Sequence, residues 1–276
     1  MKKLILNLIL SLAILYCIGQ EKAAIEYGNN MAAGGYKKIN GISMYYEIYG
    51  IGKPLIFLHG NGGSIRSASA KIDYFKQYFK VIAIDSRAHG KSIDTTTKEL
   101  TYDQMAYDIK VLLDSLKIDS AYISGQSDGG ILGLLIAIKY PNKVSRLATF
   151  GANLFPGKKA VFDEIENLVQ DSLKTTKDPR TKRLYSLLEY QPNITEKQLK
   201  LIRCPVLIMS GDRDVIRLEH SLEIFYNIEN SNLFIMPGAS HFGSSQKPNL
   251  FNMVLLDFLN NPFSKLSTYE IITGKH

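Results

Sequence analysis

Short, continuous apolar runs recur along the chain, and each ends in a cluster of small and polar residues. Pro54–Leu58 runs into His59-Gly60-Asn61-Gly62-Gly63, and Lys80–Ile84 into Asp85-Ser86-Arg87-Ala88-His89-Gly90-Lys91-Ser92. Residues 205–210 (PVLIMS) run into Gly211-Asp212-Arg213-Asp214, and residues 232–236 (NLFIM) into Pro237-Gly238-Ala239-Ser240-His241-Phe242. Runs this short, with no polar face, predict strands buried on both sides of a parallel sheet. Ile42–Tyr49 (ISMYYEIY) is rich in β-formers and predicts a strand pairing at a sheet edge. Between the runs the period changes. Met105, Ile109, Leu112, Leu113 and Leu116 have helical spacing, behind a capping box of Thr101 and Gln104. Strands alternating with helices predict an α/β fold, with a mostly parallel sheet covered on both faces.

From the strand predicted near residues 147–150 to the one beginning at Pro205, strand signals are missing. Val161, Ile165, Leu168, Val169 and Leu173 have helical spacing, as do Leu184, Leu187 and Leu188. Thr195 and Gln198 predict a cap for a third helix carrying Leu199 and Leu201. Residues 152–203 therefore predict a small helical lid over the sheet's edge. The plainer reading is an extra packed layer of helices.

Residues 120–130 (SAYISGQSDGG), followed by apolar residues 131–138, are the most informative stretch. Strand, Gly-x-Ser-x-Gly and helix in that order make a nucleophile elbow, a sharp turn that presents Ser127 at a helix start. Gly125 and Gly129 fit, because close packing of strand on helix leaves no room for a Cβ. A serine hydroxyl is a poor nucleophile until a base accepts its proton, and a carboxylate must fix that base's tautomer. His241 follows one predicted strand and supplies the base; Asp212 and Asp214 follow another and supply two candidate carboxylates. In a parallel sheet the carboxyl ends of the strands share one edge, so motifs distant in sequence converge there.

The remaining chemistry is quiet. His59 and His89 read as loop-fixing groups, and His220 as a residue of a surface helix. Cys204, ahead of a core strand, reads as a small buried residue. No His, Cys or carboxylate cluster has metal-ligand spacing, so neither metal nor cofactor is expected. The 276 residues, 45% hydrophobic and 21% charged, suit one large domain with an insertion. A net charge of +7 is spread among acidic residues and predicts no nucleic-acid partner.

The N-terminus differs from the rest. Met1-Lys2-Lys3 followed by the apolar residues 4–18 has the layout of a secretory signal peptide, with cleavage after Gly19. Residues 20–276 would then form the mature domain, exported to the periplasm or secreted. Membrane contact would come only through the export signal. The alternative is an anchor through residues 4–18, although that run is shorter than the ~20 apolar residues of a span. Lipid attachment at Cys17 is weaker, because Tyr16 is bulky where a small residue is needed. The sequence carries no signal for an oligomeric state.

Taken together, residues 125–130, 59–63, 85–92, 211–214 and 238–242 resemble the α/β-hydrolase superfamily, over about residues 36–262. Residues 125–141 and Gly151-Ala152-Asn153 are similar to its valacyclovir-hydrolase (biphenyl-hydrolase-like) branch, whose members are serine esterases. Two positions depart from the pattern: Ala88, where the family often has Gly, and Gln126, where the branch commonly has Trp. The resemblance implies a triad of Ser127, His241 and Asp214, the second acid of Gly-Asp-x-Asp, with Asp212 as the fallback. The backbone N–H groups of Asn61 and Asp128 would form the oxyanion hole.

The Asp128 carboxylate has two readings. It complements the helix dipole, or it pairs with a cationic group of the substrate such as an α-ammonium. The leading expectation is an exported serine hydrolase of small carboxylic esters, amino-acid esters among them. Its alternatives use the same triad for C–C bond hydrolysis, acyl transfer or cofactor-free perhydrolysis, or are a non-catalytic binder. A serine at the elbow argues against the dehalogenase and epoxide-hydrolase branches, whose nucleophile is aspartate.

Overall fold

The computed structural model describes residues 25–96 and 98–274, so the signal, anchor and lipidation readings of residues 1–19 lie outside the described residues. Eight strands form one sheet: β1 (Gly34–Ile39), β2 (Ile42–Tyr49), β3 (Pro54–Leu58), β4 (Lys80–Ile84), β5 (Ala121–Gln126), β6 (Val144–Phe150), β7 (Val206–Arg213) and β8 (Ser231–Ser240). Their spatial order is 1-2-4-3-5-6-7-8. The first pairings, β1–β2 and β2–β4, are antiparallel, and all others are parallel.

The central strands divide their side chains between two cores, as the period of two requires. Ile56, Leu58, Ile82 and Ile84 face one; Leu55, Phe57, Val81 and Ala83 face the other. Helices α1 (Ser69–Phe75), α2 (Tyr102–Ser115) and α3 (Asp128–Lys139) follow successive strands. The insertion then supplies α4 (Asp163–Thr175), α5 (Pro179–Tyr190) and the short α6 (Glu196–Leu199). The chain closes with α7 (Leu218–Asn227), the single turn α8 (Gly243–Gln246), α9 (Pro248–Asn260) and α10 (Thr268–Thr273). Residues of α2, α3 and α7 fill the first core, and residues of α1 and α9 the second. This is the α/β-hydrolase fold with a helical lid. Among the described residues no helix is long and apolar enough to cross a membrane.

Three local expectations are corrected. Ile42–Tyr49 lies one place in from the edge, because β1, whose Tyr36-Lys37-Lys38 lacks an apolar run, covers it. Thr101 caps α2 by accepting from the Gln104 N–H at 3.1 Å, but the Gln104 side chain bonds Asp108 at 2.9 Å rather than closing a box. His220 is not on a surface. It is 1% exposed, and its Nε2 accepts from the Leu154 N–H at 2.9 Å, fixing the entry to the lid.

Candidate active site

Ser127 stands between β5 and α3 with φ 53° and ψ −118°, a conformation that costs a non-glycine residue about 1–3 kcal/mol. The turn is held by its surroundings. Its N–H donates to Phe150 O at 2.8 Å, and its carbonyl accepts from Gly130 at 2.7 Å and Ile131 at 3.1 Å. A Cβ on Gly125 would meet Gly129 O at 2.1 Å, and one on Gly129 would meet Leu58 O at 2.2 Å. Both glycines are required by close approach, as the Gly-x-Ser-x-Gly pattern implied.

The other two triad candidates come from adjacent parallel strands. β7 continues to Arg213, beyond the apolar run, with a register shift between Gly211 and Arg213; Asp214 follows directly. β8 ends at Ser240, and His241 follows. The Asp214 Oδ1 and His241 Nδ1 lie 2.6 Å apart. A carboxylate only accepts, so Nδ1 carries the proton and Nε2 is left free to accept one. Asp214 also accepts from the Ile216 N–H at 3.1 Å and the Ser210 hydroxyl at 3.2 Å. Burial pushes its carboxyl up, but His241 and the backbone donors outweigh this and hold it below its ordinary value. Asp212 is exposed and accepts from the Ala239 N–H of the neighbouring β8 at 3.2 Å.

Ser127 and His241 line one cavity of about 470 Å³. The loop after β3 forms one wall, and α4 and α5 of the lid roof it with Ile165, Val169 and Leu188. Asn61 also lines it, and its side chain donates to Asp128 Oδ2 at 3.0 Å and to Leu184 O at 3.3 Å. The Asn61 loop is thereby tied to both elbow helix and lid. Outside helices and strands, no backbone carbonyl among the described residues accepts from the N–H of Asn61 or Asp128.

The Asp128 carboxylate lies elsewhere. It is 2% exposed and is not part of the cavity wall. Burial pushes it up to about 6, opposed by the Tyr102 hydroxyl and the Asn61 amide. Its Oδ2 is held by the Asn61 amide, which does line the cavity.

His59 and His89 fix loops, as expected. The His59 Nδ1 donates to Gly60 O at 2.8 Å, and its Nε2 accepts from the Ser86 N–H at 3.1 Å. Burial pulls His59 down to about 4 and His89 to about 3, so both are neutral. Cys204 is half-buried, and its thiol is pushed up to about 11 by burial. Ala88 has φ 60°, which explains why glycine suits that turn.

Sequence reasoning noted Gln126 only as a departure from the branch, and missed Ser244, Lys71 and Glu166. Gln126 Nε2 donates to His241 O at 2.6 Å, and Gln126 Oε1 accepts from the Ser244 hydroxyl at 3.0 Å. Lys71 on α1 donates to that hydroxyl at 3.2 Å. Glu166 lines the lid side. None has a local pattern to mark it, since each contact joins distant segments.

The family described as alpha/beta hydrolase fold matches residues 53–174. A serine hydrolase of Mus musculus, BPHL, is 25% identical over 267 residues, covering 88% of this chain and 91% of that protein. The 3-oxoadipate enol-lactonase 2 of Acinetobacter baylyi is 26% identical over 229 residues, covering 72% and 85%. Among solved structures, a meta-cleavage product hydrolase of Pseudomonas fluorescens has a TM-score of 0.68 at 20% identity, covering 84% of this chain and 99% of that one. The class is thereby defined: an enzyme of α/β-hydrolase fold, broadly related to the serine hydrolases of that superfamily. The valacyclovir-hydrolase branch is not singled out, because a lactonase is matched at similar identity.

Proposed function

We propose that Ser127 attacks a carbonyl carbon of a small substrate, with His241 as general base and Asp214 as its orienting carboxylate. The observation that carries this reading is the 2.6 Å contact between Asp214 and His241, on the cavity that Ser127 also lines. His241 Nε2 accepts the serine proton and returns it to the leaving group. Water then releases the acyl group by the reverse path. The N–H groups of Asn61 and Asp128 take the developing oxyanion, each worth about 10²–10³ in rate.

The bond is proposed to be a lactone C–O bond, or a C–C bond beside a ketone, ahead of a simple linear ester. Lactonases and C–C bond hydrolases among the relatives support this choice. The burial of Asp128, away from the cavity lining, lends amino-acid esters no added support. Linear esters remain the second reading, supported by the relationship to serine hydrolases. Export of the mature chain belongs to the same proposal and rests on residues 1–19.

The test is kcat/KM on an enol-lactone, a vinylogous diketone and a 4-nitrophenyl ester, with Ser127→Ala as the blank. Preference for the lactone or diketone supports the reading. Preference for the linear ester selects the second, and equal rates with Ser127→Ala remove the triad from both.

A further inference from the structure

The cavity holds one cation that the proposed chemistry does not use. Lys71 lines its wall, and the Phe251 ring centre lies 5.5 Å from Nζ. Its hydrogen bond goes to a neutral group, the Ser244 hydroxyl. Lys143 and Lys139, also of limited exposure, are paired with carboxylates, Asp114 at 2.7 Å and Asp103 at 2.8 Å, whereas Lys247 bonds the Pro237 carbonyl outside the cavity. Among the described residues Lys71 has no carboxylate partner, and burial pulls its ammonium down to about 8. A partly buried, unpaired ammonium is unfavourable, and an entering anion relieves it.

The position of this cation is set by the catalytic frame. Ser244 donates to Gln126, which precedes the nucleophile, and Gln126 donates to the carbonyl of His241. The ammonium is therefore fixed relative to both Ser127 and its base by two further hydrogen bonds. The carboxylates that face the cavity, Glu166 and Glu189, come from α4 and α5 on the lid and share Gln170, at 3.5 and 3.2 Å. The other titratable lining groups are His241 and His59, which is neutral above about 4. The cavity is thus polarised, with its cation on the body wall and its carboxylates on the roof.

We propose that Lys71 recognises a carboxylate of the substrate, so that the molecule cleaved by Ser127 is a small oxo acid or lactone bearing a free carboxylate tail. This rests on the reading of Ser127 as the nucleophile. A single ammonium, with the neighbouring hydroxyl already engaged, suits a monoanion better than a phosphate dianion.

The test uses mono-4-nitrophenyl glutarate and 4-nitrophenyl pentanoate, which differ by carboxylate against methyl. The wild-type chain is expected to favour the glutarate ester about tenfold or more in kcat/KM, with the ratio falling as pH rises through about 8. Lys71→Met is expected to bring that ratio close to one, whereas Lys71→Arg keeps it above one. A ratio unchanged by Lys71→Met, or no preference in the wild type, overturns the proposal. Should neither ester be cleaved, calorimetric binding of glutarate to Ser127→Ala and to Ser127→Ala/Lys71→Met decides the matter. Binding that needs Lys71 supports the carboxylate site while the reaction proposed for Ser127 fails. Binding absent from both, or equal in both, overturns it.

Discussion

The rim of the sheet and the lid enclose the same cavity with opposite kinds of structure. On the rim, each candidate catalytic side chain follows a strand directly, and its backbone is fixed by neighbours it cannot escape. Ser127 keeps a strained conformation because Phe150, Gly130 and Ile131 all bond it. In the lid, α4 has no buried residue at all, although α5 buries Leu184 and Leu187. A few polar contacts hold that roof: Arg183 to Asp94 at 2.7 Å, Arg180 to Ala88 O at 2.7 Å, and the Asn61 amide to Leu184 O. The difference separates tasks. Attack geometry tolerates little displacement, so it is built on parallel strands. The lid, with fewer buried contacts, can open locally at lower free energy.

The comparison is broken most severely at the rim. Asp214→Asn would present an amide N–H to His241 Nδ1, moving the ring proton to Nε2 and removing the base. A fall of about 10⁴ in kcat is expected, with thermal unfolding checked in parallel to show an intact fold. Gly129→Ala tests the packing that forces the elbow. Its Cβ would meet Leu58 O at 2.2 Å, so urea unfolding should show a loss of about 1–3 kcal/mol.

Asp128→Asn probes the buried side of the same elbow through pH. The Asp128 carboxyl is raised from 3.8 to about 6, so its stabilising contribution is full below 3.8 and is lost as pH rises through about 6. The asparagine variant should therefore gain stability over wild type as pH rises, by about 1–3 kcal/mol at pH 8. A difference that does not vary between pH 5 and pH 8 would contradict the placement.

The lid should respond most weakly. Arg180→Ala removes one exposed anchor to Ala88, and a KM increase of at most about fivefold is expected, equivalent to about 1 kcal/mol. Steady-state kinetics that show a larger loss in kcat would move this contact from the roof to the catalytic frame.

Much of the rim was legible because its constraints are local. The apolar runs at Pro54–Leu58 and Lys80–Ile84 form strands at those bounds, since burial on both faces needs an unbroken apolar run. Gly125 and Gly129 mark the elbow for the same reason. The β1 strand was not legible, because its pairing with β2 supplies what Tyr36-Lys37-Lys38 lacks. His220 shows the same limit: helical spacing predicts a helix, but only the segment entering the lid at Leu154 covers that face.

The sequence by itself determined the strand–helix alternation, the elbow at Ser127 and the order of its partner motifs, because each is written within a few neighbouring residues. Tertiary structure decided which acid meets His241: β7 continues past its apolar run and delivers Asp214, while Asp212 turns out to solvent. It also decided which charges face the cavity. Asp128 is turned inward by the first turn of α3, and Lys71 is brought to the wall by α1 packing beside α8 and α9. Such choices depend on the direction a side chain takes once distant elements pack, and no local pattern encodes that direction.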